Sequence, residues 1–177
     1  MKRLLVIVDF QVDFVEGSLG FDQAKELDQK IVALMDLASK RGDDIVYTMD
    51  THFDNYLETN EGKQLPVEHC IKGTPGWELF GETGKRLENY PSFEKYTFGS
   101  VELGEYLIEN KYDVIQFAGL VTNICVLSNA IIAQAAQPQA QIIIDATTVG
   151  SGDANLHEKA LDVMEGLLMT VTGRSTK

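Results

Sequence analysis

Basic residues are scarce in this chain. Fifteen lysines and arginines stand against 27 aspartates and glutamates, for a net charge of −12. A surface of that sign repels phosphate backbones and anionic lipid, which argues against nucleic acid and membrane partners. Cysteine is limited to Cys70 and Cys125, too few for a disulfide framework in 177 residues. Long apolar runs are missing as well. The first, Leu4-Leu5-Val6-Ile7-Val8, is cut short by Asp9 and Gln11, no small-residue cleavage site follows it, and nothing approaches a membrane span. A cytoplasmic location is expected. Histidine occurs three times, as His52, His69 and His157, so few imidazoles are on hand for catalysis or metal binding.

Apolar strand-like runs alternate with helical patterns. Residues 3–9 read as a buried strand, and Leu27, Ile31, Leu34 and Ala38 recur at helical spacing before Gly42, a C-terminal cap. Ile45–Met49 is a second strand. Residues 51–99 hold three of the four prolines and are weakly periodic, which marks a long functional excursion. Ser100 caps a helix carrying Val101, Leu103, Leu107 and Ile108. Strand 114–118, helix 125–137, strand 141–145, helix 154–166 and strand 167–171 follow. Continuous apolar strands alternating with helices predict an α/β fold, a doubly wound three-layer sandwich with a mainly parallel sheet, as one domain over 1–177.

Two residues fall where such a sheet places ligands. Asp9 ends the first strand, and Cys125 follows the run 114–118 at a strand-to-helix turn, where free amides can hold an oxyanion and the helix dipole favours a thiolate. A thiol at this place suits a nucleophile, although a lone cysteine is also readable as core. With His52 and His69 suited to another task, Asp9 is the candidate base. Lys95 could supply a cation that lowers the thiol pKa.

Three segments, Asp9-Phe10-Gln11-Val12-Asp13-Phe14, Lys95 ahead of a helix, and Gly119-Leu120-Val121-Thr122-Asn123-Ile124-Cys125, occur in an order that resembles the isochorismatase-like cysteine hydrolases. The resemblance covers nearly the whole chain. It implies an Asp9–Lys95–Cys125 triad, a cis peptide between Val121 and Thr122, and an oxyanion hole from the amides of Val121 and Cys125.

Asp50 and His52, two apart in extended chain, share a face, and His69 can swing in from the loop. Two imidazoles and a carboxylate suit Zn²⁺, Mn²⁺ or Fe²⁺, although Asp-x-His is also a common chance pattern and both histidines are equally readable as hydrogen-bonded loop residues. Within the family this Asp-x-His with a later Pro-x-x-His is similar to the metal site of the nicotinamidase/pyrazinamidase branch, where the metal holds the pyridine nitrogen. This chain departs by offering Glu58 or Glu61 in place of a further histidine, and Gln64-Leu65 where some members carry an aromatic. Phe14 and Phe98 are candidate walls for a ring. The reaction so implied is hydrolysis of nicotinamide to nicotinate and ammonia, a step of NAD salvage, by a homo-oligomer. The alternatives are a cysteine hydrolase of another small amide, carbamoyl or isochorismate-type substrate, and a non-catalytic family member that acts as a binding protein.

Overall fold

In the computed structural model, which describes residues 1–174, the first strand sets the plan of the molecule. β1 (Arg3–Val8) is buried from Leu4 onward. Its side chains alternate between two cores: Leu4, Val6 and Val8 enter one, Leu5 and Ile7 the other. A strand apolar on both faces must be covered on both, and helices do this.

β2 (Asp44–Asp50), β3 (Ser92–Lys95), β4 (Val114–Leu120), β5 (Gln141–Gly150) and β6 (Thr170–Thr172) join β1 in the order β3-β2-β1-β4-β5-β6. Every neighbouring pair is parallel. The helices are α1 (Val12–Val15), α2 (Leu27–Arg41), α3 (Asn60–Gln64), α4 (Gly81–Leu87), α5 (Val101–Glu109), α6 (Leu127–Ala136) and α7 (Ala154–Gly166). Leu27, Ile31, Leu34, Met35 and Ala38 of α2 and Leu87 of α4 pack on one face. Leu103 and Leu107 of α5, Ala130 and Ala133 of α6, and Leu161 and Met164 of α7 pack on the other. Each fully buried Leu or Met adds about 1.5–3 kcal/mol of transfer free energy. The doubly wound three-layer α/β sandwich expected from the alternation is present. Among the described residues no helix is long and apolar enough to cross a membrane.

Boundaries moved where periodicity is a weak guide. The helix expected over 125–137 is a π-helical turn, Thr122–Val126, followed by α6. The strand expected over 141–145 runs on to Gly150, with a register shift opposite Phe117–Gly119. The last strand is Thr170–Thr172 rather than 167–171, because α7 continues to Gly166 and the chain turns through Leu168 with φ 66°. β3 was hidden in the excursion: a four-residue edge strand has no need of an apolar run.

The order of strands reverses at β1 and β4. In open α/β sheets the crevice beyond the carboxyl ends at such a switch point receives the ligand. Gly119 lets β4 lie close to β1 at that end: its φ is 110°, and a Cβ there would stand 2.1 Å from the Val8 carbonyl oxygen.

Candidate active site

Asp9 and Cys125 leave β1 and β4 at this switch point, and Lys95 arrives at the end of β3, paired with Asp50 at the end of β2. The chain turns sharply after β1. Asp9 has φ 45°, unusual for a residue other than glycine and a conformation that costs on the order of 1–3 kcal/mol. The turn sends its wholly buried carboxylate into the crevice.

There the carboxylate is held from two sides. Oδ1 accepts from Thr48 Oγ1 at 2.6 Å. Oδ2 lies 2.7 Å from Lys95 Nζ as an ion pair, outside good hydrogen-bond geometry, so it is the oxygen with capacity to take a proton. Lys95 Nζ also donates to Asp50 Oδ1 at 3.0 Å, to the Thr97 carbonyl at 3.0 Å and to Cys125 Sγ at 3.5 Å. One buried ammonium thus touches both carboxylates and the thiol.

The charges follow from these contacts. Burial would lower the Lys95 pKa, but Asp9, Cys125 and Asp50 together hold it well above its ordinary value. Burial pushes the Asp9 carboxyl up, with help from the Asp50 charge and against Lys95. Burial also pushes the Cys125 thiol well up; Lys95 opposes this while Asp9 and Asp50 add to it. The sequence suggested a thiolate stabilised by a helix dipole. Instead Cys125 sits inside the π-helical turn, where burial and the charges of Asp9 and Asp50 favour the thiol over the thiolate.

The cis peptide precedes Val121, between Leu120 and Val121, and not Val121 and Thr122 as the sequence reading placed it. β4 stays in register with β5 through Leu120, opposite Gly150, so the chain leaves the sheet at the next peptide. Thr122 turns its hydroxyl to His157 Nδ1, 2.9 Å away on α7. Asn129, wholly buried, ties the turn to its surroundings by donating to the Cys125 and Phe98 carbonyls at 2.8 and 3.1 Å and accepting from the Ser100 amide at 2.9 Å.

A second cluster adjoins the first. Asp50 Oδ2 lies 3.1 Å from His52 Nε2 and 3.3 Å from His69 Nε2, and Glu61 Oε1 lies 3.6 and 3.7 Å from the same nitrogens. The four donor atoms fall within 4.8 Å of one another. Two imidazole nitrogens and two carboxylate oxygens form a donor set for a first-row divalent ion. His69 Nδ1 is 2.8 Å from the Val67 carbonyl, which can only accept, so Nδ1 carries a proton and Nε2 is the nitrogen turned to the cluster. Of the two glutamates considered, Glu61 joins; Glu58 is exposed and stays out. Thr59 explains the choice. Its hydroxyl accepts from the Gly62 amide at 3.0 Å as the N-cap of α3, and this sets Glu61 in the first turn, facing inward.

A cavity of about 220 Å³ opens onto both clusters. Cys125, Asp50, Glu61 and His69 line it together with Phe14, Phe98, Leu19, Leu65, Val121, Ile124 and Leu156. Phe14 packs its ring against His69, centroids 5.6 Å apart. The sequence reading missed Leu19, Leu65, Ile124 and Leu156, whose patterns do not set them apart from core. It also missed Gln11 and Thr48, whose roles are hydrogen bonds to the Asp50 backbone and to the Asp9 carboxylate.

Fold and crevice define an α/β protein of the isochorismatase type. The Isochorismatase domain family matches residues 3–176, and the chain belongs to the isochorismatase family. It is 26% identical to the nicotinamidase/pyrazinamidase of Mycobacterium tuberculosis over 171 residues, 87% of this chain and 90% of that one. It superposes on the crystal structure of nicotinamidase/pyrazinamidase PncA from Bacillus subtilis with a TM-score of 0.85 at 29% identity, covering 97% of this chain and all (100%) of that one. The pyrazinamidase of Pyrococcus horikoshii, solved in complex with zinc, shares the fold with a TM-score of 0.85 at 22% identity, covering 98% and 100% of the two chains.

Proposed function

We propose that this protein is an amidohydrolase that converts nicotinamide to nicotinate and ammonia through a thioester on Cys125. The observation that carries this reading is the convergence on Lys95: its Nζ stands 2.7 Å from Asp9 Oδ2, 3.5 Å from Cys125 Sγ and 3.0 Å from Asp50 Oδ1. A base, a nucleophile and a metal-site ligand meet at one buried cation.

Size and lining favour a small planar amide. The cavity lies below the roughly 300–1,000 Å³ of ordinary ligand pockets, so it suits a single ring. Phe14, Phe98, Leu65 and Ile124 offer that ring apolar walls. The charged side chains in the lining are Asp50, Glu61 and Asp153, a poor match for a dianionic substrate of the isochorismate kind.

In the proposed cycle Asp9 Oδ2 takes the thiol proton as Cys125 Sγ attacks the amide carbonyl. The resting thiol is neutral, so transfer accompanies attack. The backbone amides of Val121 and Cys125 receive the oxyanion. Asp9 returns the proton to the departing nitrogen, and ammonia leaves with the C–N bond broken. Asp9 then takes a proton from water, whose oxygen attacks the thioester; the C–S bond breaks as Asp9 gives that proton to sulfur, which restores thiol and base, and the acid formed loses its own proton to solvent and leaves as nicotinate. Lys95 keeps its charge throughout and offsets the negative charge that passes between Asp9, sulfur and oxyanion. Asp50, His52, Glu61 and His69 are the residues that would hold a divalent ion, which when bound supplies a Lewis-acidic anchor for the ring nitrogen.

The test is ammonia release from nicotinamide by the purified protein, compared with Cys125→Ala. Release by the native chain that the variant lacks supports the reading; equal release by both removes Cys125 from it.

A further inference from the structure

Gln11 and Asp13 follow the candidate base in the same short segment, and neither has a place in the chemistry above. Gln11 bonds to the backbone of Asp50, and Asp13 to the residue that follows His69. β1 pairs with β2 only as far as Val8 opposite Thr48, so two residues later β2 has no strand beside it on that edge. The wholly buried side chain of Gln11 takes the missing strand's place. Its Oε1 accepts from the Asp50 amide at 2.8 Å, and its Nε2 donates to the Asp50 carbonyl at 2.9 Å and to the Trp77 carbonyl at 2.8 Å. Both backbone groups of Asp50 are therefore bound by one side chain.

Asp13 does the same for the loop opposite. Its Oδ2 accepts from the Cys70 amide at 2.8 Å, next to His69, and its Oδ1 from the Ser18 amide at 3.3 Å. Cys70 has φ 47°, a left-handed conformation in which the chain must be held. The neighbourhood is built around this carboxylate: a Cβ on Gly76 would fall 2.2 Å from Oδ2, and one on Gly17 2.2 Å from Oδ1. Phe14, one residue on, rests its ring against His69.

We propose that Gln11 and Asp13 are positioning residues for the metal site, Gln11 fixing the backbone of Asp50 and Asp13 fixing the loop that carries His69. His52 and Glu61 come from the excursion beyond β2; the segment after β1 locks the other two ligands, Asp50 at the end of β2 and His69, against them. Outer contacts of this kind typically govern metal affinity by about 10–100-fold. The inference rests on the reading of Asp50, His52, Glu61 and His69 as a metal site.

Zinc affinity of the full chain, measured by competition with a chromophoric chelator, tests it. Gln11→Met keeps the volume and removes all three hydrogen bonds, and Asp13→Ala removes both. Each is expected to weaken zinc binding by about 10–100-fold. Asp13→Asn retains one carbonyl oxygen for the Cys70 amide and is expected to recover part of the loss. Leu107→Ala, in the opposite core, controls for lost stability: it is expected to melt at a lower temperature and bind zinc like the native protein. Native zinc affinity in Gln11→Met and Asp13→Ala, with binding lost in Asp50→Ala, overturns the positioning role and leaves the metal site standing. A native chain that binds no zinc overturns the metal site and the inference with it.

Discussion

Asp50 and Lys95 are joined across the ends of β2 and β3, Nζ to Oδ1 at 3.0 Å, while the other oxygen of Asp50 faces His52 and His69. This one carboxylate belongs to both clusters. Asp50→Ala is therefore expected to lose metal and also to slow the reaction of Cys125 with substrate, whereas His52→Ala is expected to lose metal and chiefly raise KM for nicotinamide. Elemental analysis and steady-state kinetics on the two variants separate these outcomes. A pure KM effect in Asp50→Ala would mean that its contact with Lys95 has no part in turnover.

Lys95→Met removes the cation that opposes the raised pKa of both Asp9 and Cys125. The carboxylate of Asp9 then becomes harder to ionise. The acid limb of kcat/KM, where the base is lost to protonation, is expected to move to higher pH. Stability has the same sign: a carboxyl whose folded pKa exceeds its unfolded value destabilises increasingly as pH rises. The loss is expected to be about 3–5 kcal/mol near neutral pH, the usual result of stripping one partner from a buried pair, and smaller in acid. Denaturant unfolding at pH 5 and pH 8 checks it. An unchanged acid limb with full stability at both would place Lys95 outside the pair.

Glu61→Ala is expected to weaken metal binding at least 10-fold, and Glu58→Ala to leave it unchanged. That magnitude is the lower end of what even outer contacts cost. Equal affinity in both variants would reduce the site to Asp50, His52 and His69.

Gly119→Ala places a Cβ against the Val8 carbonyl in a backbone of φ 110°. The expected loss is on the order of 1–3 kcal/mol for the backbone alone, and more for the clash. Gly42→Ala has φ 74° and open space, so only the left-handed cost of about 1–2 kcal/mol applies. Urea unfolding compares them. A smaller effect at Gly119 than at Gly42 would show that β1 and β4 can part there without cost.

The residues legible in the sequence are those that local rules mark. Asp9 and Cys125 each follow a continuous apolar run, and such runs predict buried parallel strands. Asp50 and His52 share a face because strand side chains alternate. Gly42 and Ser100 stand where caps must. What was not legible depends on contacts without a period. Gln11 replaces a strand with its side chain, which no pattern announces. β3 is short and polar. Glu61 could have been preferred over Glu58 from the sequence, since Thr59 is a helix N-cap and sets the phase of the two residues after it. The protonation of Cys125 required its surroundings: the turn suggested a thiolate, and burial between Asp9 and Asp50 decides for the thiol.

Asp9→Asn keeps the shape of the side chain and its place beside Thr48 but cannot take a proton from sulfur. Turnover is expected to fall by at least about 10²–10⁴-fold, the usual contribution of a general base, while metal content is retained. Substantial kcat at neutral pH would assign Asp9 to structure alone.

The most direct measurement is mass spectrometry of the intact chain, quenched during turnover of nicotinamide. A nicotinoyl adduct on Cys125 in the native protein, absent from Cys125→Ala, is the expected result. Steady ammonia release by Cys125→Ala at the native rate, with no adduct in either chain, would contradict a thioester mechanism at this site.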